Sequence, residues 1–121
     1  MPIVDVEIVL RPNEILRKEI VAELADELGE IFQTSQGGTW VKVHELSSDQ
    51  YAENGGAQNA TYPIFVTVIK SKFPVVEEMQ KEVEKITGAV AQICGRPSDN
   101  VHMIYQPAGS SRVAFGGRIV W

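Results

Sequence analysis

The amino-acid sequence predicts an α+β fold in which two β-α-β pseudo-repeats, residues 2–61 and 62–121, form one domain with a four-stranded mixed sheet and two helices on one face. Three observations predict it. Pro2, Ile3 and Ile8 match Pro63, Ile64 and Ile69 at an offset of 61 residues, and so do Gly55-Gly56 and Gly116-Gly117. The apolar stripe Val21, Leu24, Leu28 and Ile31 matches Val83, Ile86, Val90 and Ile93 at an offset of 62, the extra residue falling before the second helix. Two copies cannot make a solenoid array, so they must share one core.

The first strand, about residues 2–10, is apolar on both of its alternating faces and should be largely covered. Arg11-Pro12-Asn13-Glu14 then predicts a turn and a helix start, with Asn13 as N-cap and Glu14 favourable in the first turn. That helix runs to about Phe32, and Gly37-Gly38 closes the region before the strand Trp40–His44. A helix between two strands favours a parallel, right-handed crossover. The second copy repeats the order: a strand from Pro63 to Ile69, a helix starting near Pro74 and ending at Gly95, Pro97 beyond it, and the strand Val101–Tyr105. One sheet face stays uncovered within a chain, so its Ile- and Val-rich strands call for a partner.

The 121 residues fit one domain, and 44% hydrophobic content supplies a core. A net charge of −5 excludes the basic face that nucleic acid requires. No apolar run reaches the roughly 20 residues of a membrane span, and the opening residues lack a cationic leader, so a cytoplasmic protein is expected. Cys94 is the only cysteine, which excludes disulfides within the chain and cysteine-based metal sites; its place on a helical stripe predicts a buried thiol. Neither metal nor cofactor is expected.

Pro2 is the residue with the most chemistry. An internal proline nitrogen is an amide without a proton. Removal of Met1 would make Pro2 a rigid secondary amine with a starting pKa of about 8, which an apolar wall or nearby cations would lower. A neutral amine at working pH is a general base or a nucleophile.

With Pro2 directly after Met1, cations Arg11 and Lys72 at matching strand-to-helix turns, and the two glycine pairs, the whole chain resembles the tautomerase superfamily. It resembles the fused, two-unit members, which include macrophage migration inhibitory factor, malonate semialdehyde decarboxylase and cis-3-chloroacrylic acid dehalogenase. The resemblance implies a homotrimer and a small carboxylic acid with an adjacent enol, keto or unsaturated group as substrate, with Pro2 as the base. It also implies carboxylate-binding cations from the second copy, Lys70 and Lys72, where the decarboxylase and the dehalogenase carry arginines. Lysine holds a carboxylate as a point charge, without the arginine fork. Arg11 matches the substrate-binding arginine of the short tautomerases, His102 their second arginine, and Tyr105 lies near a dehalogenase tyrosine able to donate to an enolate oxygen. Arg112, before the last glycine pair, is a further cation for the cavity mouth, and Trp40 and Phe115 are expected as apolar wall.

The departures narrow the reaction. Ser35-Gln36-Gly37-Gly38-Thr39 has no acid where the decarboxylase carries its aspartate, and Arg112-Val113-Ala114-Phe115 has none where the cis-dehalogenase carries its glutamate. Glu53 matches the water-activating glutamate of the trans-dehalogenase but lies in the first copy. The expected activity is keto–enol tautomerisation of a 2-oxo or 2-hydroxy-dienoate acid. The alternatives are hydration or dehalogenation, decarboxylation, and a cytokine-like binding role with incidental turnover.

Overall fold

In the computed structural model, residues 2–56 and 61–121 are described. The chain order is β1 (Ile3–Val9), α1 (Ile20–Phe32), β2 (Trp40–Leu46), a 3-10 turn (Ser48–Gln50), β3 (Ile64–Ile69), α2 (Val76–Cys94), a second 3-10 turn (Ser98–Asn100), β4 (Val101–Tyr105), β5 (Ala114–Phe115) and β6 (Arg118–Ile119). The sheet runs β2-β1-β3-β4. β1 pairs parallel with β2, β3 pairs parallel with β4, and β1 and β3 pair antiparallel at the centre, with Ile3 opposite Ile69 and Ile8 opposite Ile64. The predicted mixed sheet and its two parallel crossovers are therefore present.

Alternation decides which face meets the helices. Val4, Val6 and Ile8 of β1 and Ile64, Val66 and Val68 of β3 have no solvent exposure, and they pack with Leu24, Leu28, Ile86 and Val90 of the helices. Each such side chain contributes about 1.5–3 kcal/mol on burial. The opposite face is half open: Asp5 and Glu7 share it with Lys42 and His44, opposite them across β1 and β2. Lys42 Nζ and His44 Nε2 lie 3.3 and 3.4 Å from Asp5 Oδ1, an oxygen that is covered yet accepts no hydrogen bond from them. Exposed pairs of this kind are worth about 0–1 kcal/mol, so the helix-side face dominates stability.

The first helix departs from expectation at its start. It begins at Ile20, not after Asn13, and Asn13 is not its N-cap: that residue has φ 63°, a left-handed turn. The reason is Glu14, whose carboxylate turns back to accept from the Arg11 amide (2.9 Å) and is gripped by Arg96. Its stripe is also rotated, so that Ile20 is buried while Val21 is exposed. Both helices end 62 residues apart, at Phe32 and Cys94, each followed by a left-handed residue, Gln33 (φ 57°) and Gly95 (φ 68°). Gly116 and Gly117, at φ 56° and 88°, make the two-residue turn between β5 and β6, a left-handed conformation that glycine adopts most readily. Gly55 and Gly56, the matching pair of the first copy, also turn with positive φ, and residues 57–60 after them lie outside the described residues.

Arg96 is the buried charged side chain among the described residues. Its guanidinium donates to the carbonyls of Val9 and Tyr62 (2.9 Å each) and Cys94 (3.3 Å), and to both Glu14 oxygens (3.0 and 2.7 Å). The Arg96 hydrogen bonds hold the Glu14 carboxyl below its ordinary value, against the opposing effect of burial. Cys94 is buried as expected, and desolvation pushes its thiol up to about 11.

Candidate active site

Pro2 lies buried immediately before β1. Its carbonyl accepts the Trp40 amide at 3.0 Å, which ties the start of β2 to it. The α1–β2 loop then folds tightly: Gly37 has φ 78°, and a Cβ on Gly38 would stand 2.9 Å from Thr34 Cβ and 3.0 Å from the Ser35 carbonyl, so a side chain at Gly38 would push that loop open. Trp40 Nε1 donates to the Gly37 carbonyl (2.9 Å), fixing the indole, and the Phe115 ring meets it edge-on at 5.1 Å. Pro2, Ile3, Gly37, Gly38, Trp40 and Phe115 line a mainly apolar, open-mouthed cavity of about 230 Å³.

The antiparallel register sets what stands beside Pro2. Because Ile3 opposes Ile69, the next residues outward are Pro2 and Lys70. Lys70 is not free: its Nζ donates to Glu82 of α2 at 2.9 Å and lies 5.1 Å above the Phe32 ring at the end of α1. The other Glu82 oxygen accepts the Tyr105 hydroxyl at 2.7 Å. Desolvation first, and this hydrogen bond second, drive the Tyr105 pKa far upward, so the phenol stays a neutral donor. Tyr105 also meets Phe73 edge-on (5.8 Å), which anchors the loop bearing Lys72. Lys72 is exposed and makes no ion pair among the described residues. The Gly109 amide donates to the Lys70 carbonyl at 2.6 Å, tying the segment before β5 to this end of the sheet. From that segment Arg112, likewise without an ion pair among the described residues, lines a second hollow of about 370 Å³ with Ile69, Gln106 and Pro107.

Pro2, Lys70, Lys72, Tyr105, Arg112, Trp40 and Phe115 are thus gathered at one end of the sheet. Two expected site residues are not. Arg11 lies past the far end of β1, where it donates to the Gly95 carbonyl (3.0 Å) and pairs with Glu14. His102 sits exposed on the helix-free face with its ring 5.7 Å from Phe65. Glu53 is exposed, accepts from Tyr51 (2.5 Å), and does not line the Pro2 cavity. Among the described residues no group of three or more metal-ligating side chains converges.

Two polar residues of consequence were missed in the sequence. Glu82 had a readable signal: it stands four residues before Ile86 and eight before Val90, an acid on the core-facing stripe, where a charge needs a partner. Arg96, between Gly95 and Pro97, follows no periodic pattern.

No protein-family model matches the chain, and no curated protein sequence does. Solved structures do. A fused 4-OT, a symmetric trimer, superposes with a TM-score of 0.78 over 98% of this chain and 94% of its own, at 12% identity. A macrophage migration inhibitory factor homologue from Prochlorococcus marinus superposes with a TM-score of 0.75 over 98% and 99%, at 14% identity. The chain has the tautomerase fold. FG41 malonate semialdehyde decarboxylase, solved with 3-bromopropiolate as inhibitor, shares this tautomerase fold at a TM-score of 0.69 and 18% identity, over 94% of this chain and 88% of that one.

Proposed function

We propose that the protein is a homotrimeric isomerase that interconverts the enol and keto forms of a small 2-oxo or 2-hydroxy-dienoate acid. Pro2, made N-terminal by removal of Met1, acts as the base. The observation that carries this reading is the mainly apolar cavity around buried Pro2. An apolar wall disfavours the charged form of an amine, which would push the Pro2 amine below the ordinary α-amino value and toward the neutral base. In the reaction its nitrogen takes the hydroxyl proton of the enol. The C=O bond forms as the C=C pair moves to carbon, and the same nitrogen returns the proton to that carbon. Lys72 and Arg112 at the rim would hold the substrate carboxylate, since neither is neutralised by an acid among the described residues, and Phe115 and Trp40 would cover the tail. The trimeric neighbours support assembly in threes, which would cover the open sheet face.

The test is ketonisation of phenylpyruvate enol and of 2-hydroxymuconate, with an intact-mass measurement on the same sample. Protein without Met1 should turn over at least one of them, and Pro2→Ala should lose about 10²–10⁴ in kcat/KM, the range of a general base. Full activity with Met1 retained, or in Pro2→Ala, would refute the mechanism.

A further inference from the structure

The Pro2 end of the sheet holds one cation that is cancelled in place. Lys70 follows Ile69, the cross-strand partner of Ile3, and so stands next to Pro2 in the register. Its ammonium is largely buried, and so is the Glu82 carboxylate 2.9 Å away. Glu82 has one oxygen on Lys70 and the other on Tyr105, so both donors are satisfied, and the Lys70 ammonium is held on α2 and away from the lining of the Pro2 cavity. Among the described residues, those that line the Pro2 cavity carry no charge and offer Ile3, Trp40, Phe115 and loop backbone to the distal end of a ligand.

We propose that Glu82 is a specificity-determining positioning residue: by cancelling Lys70 it makes the site select acids with one carboxylate and an apolar tail over dicarboxylates. The inference rests on the Pro2 end being the ligand site, and it deepens that reading by naming the substrate class. A second carboxylate pushed into the cavity loses its hydration and meets no free cation there. Removing the charge of Glu82 while keeping its shape releases Lys70 as a counter-ion for that carboxylate.

The matched pair hexanoate and adipate isolates the charge, because the two differ by one terminal carboxylate and neither can be turned over. Binding is read from the fluorescence of Trp40 in a Trp121→Phe background, which leaves the cavity indole as the only reporter. The parent should bind hexanoate more tightly than adipate. Glu82→Gln should shift the ratio of dissociation constants about tenfold toward adipate, the size expected for one partly buried charge contact. Lys70→Gln added to Glu82→Gln should return the ratio to the parent value. Lys70→Met alone, leaving Glu82 without its cation, should move it the opposite way, and this variant decides the matter if Glu82→Gln melts at a much lower temperature.

A ratio that moves less than twofold in Glu82→Gln, an equal shift in the double variant, a preference of the parent for adipate, or no hexanoate binding would overturn the proposal. Because the ligands are inert, the result is independent of turnover. Proline-dependent turnover with an unmoved ratio would remove the role of Glu82 and leave the proposed reaction standing. A shifted ratio without turnover would do the reverse.

Discussion

Lys72 and Arg11 occupy matching turns in the two copies, yet their surroundings differ. Lys72 is exposed without an ion pair among the described residues, whereas Arg11 is bound to Glu14 and the Gly95 carbonyl past the opposite end of β1. Lys72→Ala should therefore raise KM for a carboxylate substrate about tenfold with little change in kcat, because the substrate charge is the same in ground and transition states. Arg11→Ala should leave kcat/KM within about twofold, since its guanidinium meets no substrate at that end. The Arg96–Glu14 pair governs stability instead. Replacing Arg96 by Met removes the donor to three carbonyls and leaves the Glu14 carboxylate with Arg11 alone, and should cost about 3–5 kcal/mol in urea unfolding. Glu14 has its folded pKa lowered from 4.5, so its contribution is complete above about pH 4.5 and is lost as pH falls through the folded value. The drop in stability from pH 7 to pH 3 should be smaller in Glu14→Gln than in the parent. Pro2, Trp40, Phe115, Lys72 and Arg112 could be named as candidates from the sequence because residue chemistry, the repeat and the family resemblance mark them. Glu82 and Arg96 were not used there, because their importance comes from what the tertiary fold brings to them.

The strands and the ends of both helices follow from alternation, the shared apolar stripe and the terminal turns. The start of α1 does not, because local preference loses there to a long-range ion pair. Arg96, 82 residues away, holds Glu14 out of a first helical turn, and Asn13 takes the left-handed conformation that lets the chain double back. Asn13→Gly should be close to neutral in thermal unfolding, whereas Asn13→Val should cost about 1–2 kcal/mol, the penalty for a side chain that tolerates this conformation poorly. The mixed sheet was readable as two parallel pairs with an antiparallel seam, but which strands meet at the seam was not, since periodicity within each copy says nothing about the order of strands between copies.

At the scale of the whole molecule, half-buried Phe65 and Ile69 and exposed Ile104 share the helix-free face with Asp5, Lys42 and His44. If three chains cover that face, light scattering should give three times the chain mass of 13.4 kDa, and Ile104→Asp should reduce it toward the single-chain value. The central antiparallel pair has one more effect. It sets Pro2 and Lys70 at one end of β1 and Arg96 at the other, seven strand residues away, a separation of about 20 Å at roughly 3.3 Å per residue. Perturbations that far apart with no shared partner combine as independent terms, so Lys72→Ala and Arg96→Lys together should give the sum of their separate free-energy effects within about 0.5 kcal/mol. The chain can thus be made sturdier at one pole while its chemistry is rewritten at the other.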